Sequence, residues 1–275
     1  MRMRRKADEL LREWRDRADR KPLLVKGVRQ CGKTYLLRTY AQDLFESVVY
    51  VNLENDRSAR ADFSGGLDPH SIVRAIEART GQRIVPGKTL LFIDEIQACE
   101  EALTSLKYFC EDAPEYYVAA AGSLLGVAIN HQSYSFPVGK TDLIEMTPLD
   151  FEEFLWALDE EQMVNAIRTH AGTLETYAVH QAALSLFHRY QIVGGMPAAV
   201  NAYRKTLSSE DARVEQREID ETYTADMTDP ENGISGVAAR KVWRSIPSQL
   251  LRSSTKKFKY SEVERGGRRA KLIEP

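Results

Sequence analysis

An octapeptide near the N-terminus constrains this chain more than any other feature. Residues 27–34 read Gly-Val-Arg-Gln-Cys-Gly-Lys-Thr, which is the spacing GxxxxGKT. A short apolar run from Leu23 to Val25 precedes it, and apolar residues at helical spacing follow it from Leu36. Strand, glycine loop and helix in this order predict a phosphate-binding loop, because glycines let backbone N–H groups close around an anion.

The residue types in the loop predict individual roles. Gly27 and Gly32 supply backbone freedom, and Lys33 is expected to reach the β- and γ-phosphates of a nucleotide. The Thr34 hydroxyl is a candidate ligand of Mg²⁺. The remaining candidate nucleotide contacts in or beside the loop are Arg29, Gln30, Cys31 and Tyr35. The alternative is an ordinary glycine turn before a helix.

A second motif follows about 60 residues later, at residues 89–95, Thr-Leu-Leu-Phe-Ile-Asp-Glu. A continuous apolar run that ends in carboxylates is typical of a strand buried on both faces of a parallel sheet. Asp94 is predicted to hold the Mg²⁺ shell, and Glu95 to polarise the attacking water as general base. The alternative is that both acids cap the next helix. Together with the loop, the motif indicates a P-loop NTPase.

Composition limits the class of protein. The chain has 275 residues, and its 43% hydrophobic content is enough for a substantial core. It contains no apolar run of the roughly 18 residues that a membrane span needs. The basic N-terminus has no apolar segment behind it, which argues against a secretory signal. Three cysteines without zinc spacing favour a reduced, cytoplasmic protein.

Charge is distributed unevenly along the chain. The net charge is −2, yet residues 1–40 carry 13 Lys/Arg against 5 Asp/Glu, and residues 252–275 carry 8 against 3. Basic ends are compatible with DNA binding. They are equally compatible with a solvated helix face and a tail, and the sequence leaves both open.

The order of predicted elements indicates an α/β fold. Five strands, at about 23–28, 47–53, 89–94, 116–121 and 141–147, alternate with helical segments. This alternation implies a parallel sheet with helices on both faces. We predict four regions: an N-terminal helix (1–20), a P-loop ATPase core (21–149), a helical lid (150–208) and a C-terminal region (209–275), which includes a short strand at 257–263.

Ser123 follows the fourth predicted strand directly. A polar side chain there would lie beside the carboxylate strand, near the γ-phosphate. We therefore predict a catalytic role for Ser123, as a phosphate sensor that orients the water, and the alternative is that Ser123 only caps the next helix.

Several longer segments narrow the family. They are GVRQCGKTYLL (27–37), LLFIDEIQ (90–97), AAGSLLG (120–126), FPVGKTDLIEMTPLDFEEFL (136–155), YQIVGGMPAAV (190–200) and IPSQLL (246–251). With these segments the chain resembles bacterial and archaeal AAA-type ATP-binding proteins that carry a C-terminal domain of unknown function. The resemblance implies strand order 5-1-4-3-2, a helical lid whose Gly-x-Pro turn places Pro197 against the nucleotide, and a partial winged-helix-like segment at the C-terminus.

Two departures from the family pattern affect the expected activity. Family members often have Gly-Arg where this chain has Gly139-Lys140, and a lysine lacks the bidentate fork of an arginine finger. Because such a finger can accelerate turnover by roughly 10³–10⁵, its absence predicts slow intrinsic hydrolysis or a different activator. Arg29 is another cation near the phosphates.

Family members also continue beyond residue 275, so the chain is either a fragment or a truncated gene product.

These features predict Mg-dependent ATP binding and slow ATP hydrolysis that drive a conformational switch of the lid. The alternative is a nucleotide-gated module that binds a protein or DNA with little or no turnover. The expected ligands are ATP, ADP and Mg²⁺, because no guanine-reading Asn-Lys-x-Asp pattern occurs. A protein partner and an oligomer are compatible with both interpretations.

Overall fold

The structure is a computed structural model that describes residues 2–122, 139–172, 178–228, 236–252 and 257–263. Two compact units make up the chain, Met1–Ser209 and Glu210–Pro275. Within the described residues, no helix is both long enough and apolar enough to cross a membrane.

The first unit contains a five-stranded sheet and nine of the described helices. The strands are β1 (Leu23–Gly27), β2 (Ser47–Asn52), β3 (Thr89–Asp94), β4 (Tyr117–Gly122) and β5 (Asp142–Met146). The helices are α1 (Lys6–Asp16), α2 (Lys33–Tyr35), α3 (Arg57–Ser64), α4 (Pro69–Thr80), α5 (Glu100–Asp112), α6 (Phe151–Ala157), α7 (Glu161–His170), α8 (His180–Val193) and α9 (Pro197–Thr206).

All pairings in the sheet are parallel, and the strand order is β2-β3-β4-β1-β5. Counted from the other edge this is 5-1-4-3-2, so the predicted order is confirmed. Gly27 pairs with Met146, and Asn52 pairs with Asp94. Because parallel strands end at the same edge, the glycine loop and the carboxylate strand open onto one side of the sheet.

The strands alternate their apolar side chains between two cores. On β3, Leu91 and Ile93 join a cluster with α3, α4 and α5 on one face. Leu90 and Phe92 join the cluster on the other face, which contains α1 and the helical segment after the glycine loop. The sheet is therefore covered on both faces, as the uninterrupted apolar strands predict.

Helix α1 is shorter than the predicted region 1–20 and covers one face of the sheet. Ala7, Leu11 and Trp14 are its buried core residues. The indole Nε1 of Trp14 donates to the Lys21 carbonyl oxygen at 2.7 Å, and its ring meets Tyr117 edge-on at 5.9 Å. Trp14 therefore joins α1 to the first turn before β1 and to β4.

The segment after the glycine loop is not one regular helix. Three residues of α2 are followed by a π-helical turn, Leu36–Tyr40, and a 3₁₀ turn, Ala41–Asp43. Leu36, Leu37 and Tyr40 are all buried. Their spacing of i, i+1 and i+4 is that of one helix face, and all three residues join the core cluster on this side of the sheet.

The described residues between 150 and 208 are mostly helical, as predicted, and the first of these helices, α6, has a well-formed N-terminus. The Asp150 carboxylate caps α6 by accepting from the Glu153 N–H at 2.9 Å. The Glu153 carboxylate in turn accepts from the Asp150 N–H at 3.1 Å. Between α8 and α9, Gly195 packs against Leu149, whose N–H donates to the Gly195 carbonyl oxygen at 2.7 Å. The second contact joins the turn between α8 and α9 to Leu149, which follows β5.

The second unit contains two further α-helices, α10 (Ser209–Thr228) and α11 (Gly236–Arg252). Ser209, the first residue of α10, belongs to the first unit. Trp243 stacks on Tyr223 at 6.1 Å and donates to Asp220 at 2.7 Å. The predicted strand at 257–263 is wrong, because the structure has a 3₁₀ turn at Tyr260–Glu262. A lone segment without a strand beside it has no partner for ladder hydrogen bonds. The four region boundaries remain predictions.

We predict that Gly195→Ala destabilises the protein by about 1–3 kcal/mol, the usual range for overpacking. A methyl group there overlaps the Leu149 carbonyl oxygen, which is backbone and cannot move aside. Urea unfolding of purified protein measures the effect. Gly65→Ala is the control, because nothing lies within 4 Å of its added methyl group. Equal stability of the two variants would contradict the close approach.

Candidate functional site

The glycine loop leaves β1 at Gly27 and runs along the end of β5. A side chain at Gly27 would overlap the carbonyl oxygen of Met146, the residue that pairs with it. Gly32 has φ +103°, a left-handed conformation that glycine adopts without steric cost. Glycine is therefore required at both predicted positions. At Gly27 the Met146 backbone lies too close for a side chain, and at Gly32 the backbone conformation favours glycine.

Lys33 lies at the centre of the loop with only 6% of its surface exposed. Its ammonium donates to the carbonyl oxygens of Gly27 at 2.8 Å and Val28 at 2.9 Å. The charge is thus held over the loop by two neutral acceptors. Phosphate oxygens are stronger acceptors for an ammonium than carbonyls, so the same side chain is placed to bind a polyphosphate.

Thr34 and Asp94 are brought together as the sequence predicts. The Thr34 hydroxyl donates to Asp94 Oδ2 at 2.9 Å, although 60 residues separate them. The Tyr50 hydroxyl donates to the same oxygen at 3.0 Å and accepts from Asn52 Nδ2 at 3.1 Å. A carboxylate and a hydroxyl side by side are oxygen ligands of the kind that Mg²⁺ selects.

Asp94 is buried, with 3% of its surface exposed. Burial raises the pKa of Asp94, and the hydrogen bonds from Thr34 and Tyr50 act in the opposite direction. Burial also raises the pKa of the Tyr50 hydroxyl, which keeps this group protonated as a donor. An ionised Asp94 without a cation is therefore unfavourable, and a bound cation would relieve that penalty.

Glu95 follows Asp94 in a left-handed backbone conformation, with φ 51° and ψ 48°. Such conformations are uncommon outside glycine and are concentrated at functional sites. Its N–H donates to Asp94 Oδ1 at 3.1 Å, and its Oε2 accepts from Gln97 Nε2 at 2.6 Å. The two adjacent carboxylates thus have different partners, which allows them different roles.

A cavity of about 320 Å³ lies between the glycine loop and the start of α9. It includes Gly32 and two further predicted contacts, Tyr35 and Pro197. The other lining residues are Met3, Arg5, Asp8, Leu36, Met146, Ala198 and Asn201. Mostly apolar walls with a few polar groups are usual for a site that holds a nucleotide base.

The remaining predicted site residues are Arg29, Gln30, Cys31 and Ser123. Gln30 is exposed, with φ 63°, and Arg29 lies 3.8 Å from Glu54 in a half-exposed ion pair. Cys31 is fully buried, and burial raises the pKa of its thiol, which disfavours the reactive thiolate. Ser123 lies outside the described residues.

Three site residues were missed by sequence reasoning, namely Tyr50, Asn52 and Arg5. Tyr50 and Asn52 end the strand beside β3, and the register Asn52–Asp94 explains their position. The strand order was predicted, so polar residues at the end of the second strand were an available signal. No pattern in the sequence indicates that Arg5 reaches the loop.

Two protein-family models match the chain. A family described as an AAA domain matches residues 19–155, and a domain of unknown function, DUF8612, matches residues 184–274. The chain is therefore an AAA-type protein with a C-terminal domain of unknown function. The second match begins inside α8, within the region predicted as the lid. Curated proteins gave no match.

Solved structures share the fold at low identity. The Walker-type ATPase of Pyrococcus abyssi is 14% identical, with a TM-score of 0.52 over 89% of this chain and 79% of that chain. PCH-2 of C. elegans is 14% identical (TM-score 0.41; 78% and 66% covered). The ORC1 protein of Aeropyrum pernix, solved in complex with DNA, is 17% identical (TM-score 0.36; 94% and 73% covered). At this identity the likeness shows the fold alone.

We predict that Asp94→Asn makes the protein without ligand more resistant to urea at pH 7–8. The raised pKa means that the folded state favours the neutral acid, so the ionised carboxylate lowers stability above that pKa. The gain should vanish as the pH falls below about 3, where the unfolded carboxyl is protonated as well. Asp19→Asn, at an exposed position, is the control. A gain that persists in acid would contradict the prediction.

Proposed function

We propose that this AAA-type chain binds Mg-ATP at the glycine loop, hydrolyses it slowly and uses the cycle to switch its helical region. The observation that carries the proposal is the hydrogen bond between Thr34 and Asp94 beside the buried ammonium of Lys33. A parallel sheet brings a hydroxyl, a carboxylate and a cation to one edge, which is the set that phosphoryl transfer needs.

Lys33 is the phosphate ligand in this proposal. Its ammonium exchanges the carbonyls of Gly27 and Val28 for the β- and γ-phosphate oxygens. The loop N–H groups of Arg29, Gln30 and Cys31 face the phosphates from the backbone, as Gly32 does. Binding therefore requires little movement of the loop and a local rotation of one side chain.

Thr34 and Asp94 fit a magnesium ion. Mg²⁺ in nucleotide sites takes one or two protein oxygens and completes its shell with phosphates and water. When bound, it would neutralise phosphate charge. Among the described residues, no three His, Cys, Asp or Glu side chains gather into a metal site of their own, which agrees with a shell shared with the substrate.

Glu95 is the proposed general base. It accepts a proton from a water whose oxygen attacks the γ-phosphorus, and the bond between that phosphorus and the β–γ bridging oxygen breaks to release ADP and phosphate. Gln97 holds the carboxylate by donating to its Oε2 at 2.6 Å, which limits rotation of the proposed base. Ser123 remains proposed as the group that orients this water.

The base of ATP is proposed to occupy the cavity beside Tyr35 and Pro197. Asp8 and Asn201 are two of the polar side chains of its walls, together with Arg5 and Tyr35. A carboxylate accepts the adenine amino group, and it repels the carbonyl that guanine carries at the same position. Because Pro197 begins α9, a bound base touches the core and the helical region at once.

A nucleotide-gated interaction module is the second candidate. Lys140, which stands where family members often carry arginine, pairs with Glu111 at 2.8 Å instead of projecting as an isolated cation. Weak catalysis with intact binding would leave the nucleotide as a switch for a protein, for a second copy of the chain or for DNA at the basic ends.

We predict that Lys33→Ala abolishes ATP binding, whereas Glu95→Gln preserves binding and lowers phosphate release at least about 100-fold. Calorimetry with Mg-ATP measures binding, and a phosphate-release assay measures turnover. Lys26→Ala is the matched control, because Lys26 lies on β1 and pairs with Glu145 away from the loop.

The outcomes separate the two candidates. Turnover that is lost in Glu95→Gln supports the ATPase. Tight binding without measurable turnover in the unaltered chain supports the interaction module. Equal binding by Lys33→Ala and the unaltered chain would rule out both.

A further inference from the structure

Arg5 connects three elements that are far apart in the sequence. It immediately precedes α1 and is buried, with 8% of its surface exposed. Its Nη1 donates to the Cys31 carbonyl oxygen at 2.9 Å, and its Nη2 donates to the Thr147 carbonyl oxygen at 2.7 Å. Its Nε donates to Glu153 Oε1 at 3.1 Å. One guanidinium thus bonds to the glycine loop, the end of β5 and α6.

The bond to Cys31 determines the direction of a peptide plane. A trans peptide is planar, so the carbonyl of Cys31 and the N–H of Gly32 point in opposite directions. With the carbonyl held by Arg5, the Gly32 N–H is directed to the other side of the loop. Gly32 lines the cavity, and a side chain built on it would lie 3.6 Å from Arg5 Nη1.

Arg5 is itself held rigidly by Glu153. Glu153 is buried, with 4% of its surface exposed, and its Oε1 also accepts from the Lys6 N–H at 2.7 Å. Its other oxygen belongs to the cap of α6. A buried ion pair persists when hydrogen bonds satisfy both charges, and every nitrogen of the Arg5 guanidinium has an acceptor here.

We propose that Arg5 is a positioning residue for the phosphate-binding loop. Its planar fork fixes the Cys31–Gly32 peptide so that the Gly32 N–H donates to a phosphate of the nucleotide. The inference rests on the proposed function and adds a loop-positioning residue from the N-terminal segment. A lysine cannot replace the fork, because one ammonium does not reach three acceptors in a plane.

The test compares ligands with and without phosphate. We expect Arg5→Lys to weaken binding of ADP and inorganic pyrophosphate about 10- to 100-fold, the loss of one good hydrogen bond to a charged group. Adenosine binding should weaken by a smaller factor than pyrophosphate binding, because Asp8, Pro197 and Asn201 remain on the cavity wall and Arg5 alone changes there. Calorimetry on the full chain measures all three. Arg4→Lys is the control, since Arg4 is exposed and pairs with Glu9.

A second measurement guards against a variant that folds poorly. In protein labelled with ¹⁵N-glycine, the Gly32 amide signal should shift on addition of pyrophosphate in the unaltered chain and remain unshifted in Arg5→Lys. Glu153→Gln, which retains the shape of the partner, should show an intermediate response in both experiments.

The possible results are distinct. Equal weakening of adenosine and pyrophosphate in Arg5→Lys would mean a general structural role and overturn the inference. Unchanged pyrophosphate binding in a well-folded Arg5→Lys would also overturn it, while the proposed function stands. If the unaltered chain binds none of the three ligands, the proposed function falls and the inference falls with it.

Discussion

The pairing of β1 with β4 on one side and β5 on the other is the constraint on which the rest depends. Because all three strands are parallel, Gly27 ends beside Met146 and the glycine loop opens at the carboxyl edge. Asp94, the last residue of β3, lies at the same edge of the sheet. Every proposed phosphate and metal contact therefore follows from strand order, and the loop needs only the two glycines to occupy that position.

Four charged groups are buried around this edge, Arg5, Lys33, Asp94 and Glu153. Each would destabilise the fold if it lacked partners. Arg5 and Glu153 neutralise each other, whereas Lys33 has only carbonyls and Asp94 only hydroxyls and one N–H. The first pair is satisfied within the protein. Within the described residues the second pair is incompletely compensated, as expected for groups that we propose to bind a phosphate and a cation.

Much of the fold could be predicted because it depends on local patterns. The β3 run and the loop motif determine their own structure, and the family resemblance supplied the strand order. The Thr34–Asp94 contact follows from those three facts. Arg5 could not be predicted, because its partners lie 26 to 148 residues away and only tertiary packing brings them together. The π-helical turn after the loop was likewise invisible, since helical spacing alone does not distinguish it from a regular helix.

The contacts at Leu149 restrict how a nucleotide signal could reach the helical region. The Leu149 N–H donates to the Gly195 carbonyl oxygen, and the Leu149 carbonyl oxygen accepts from the Tyr190 hydroxyl at 2.9 Å. Gly195 lies so close to the Leu149 backbone that a side chain would not fit between them. Rotation about the residues after β5 would break these bonds together. The turn before Pro197 is therefore held in place, and its side of the cavity is formed before ligand arrives.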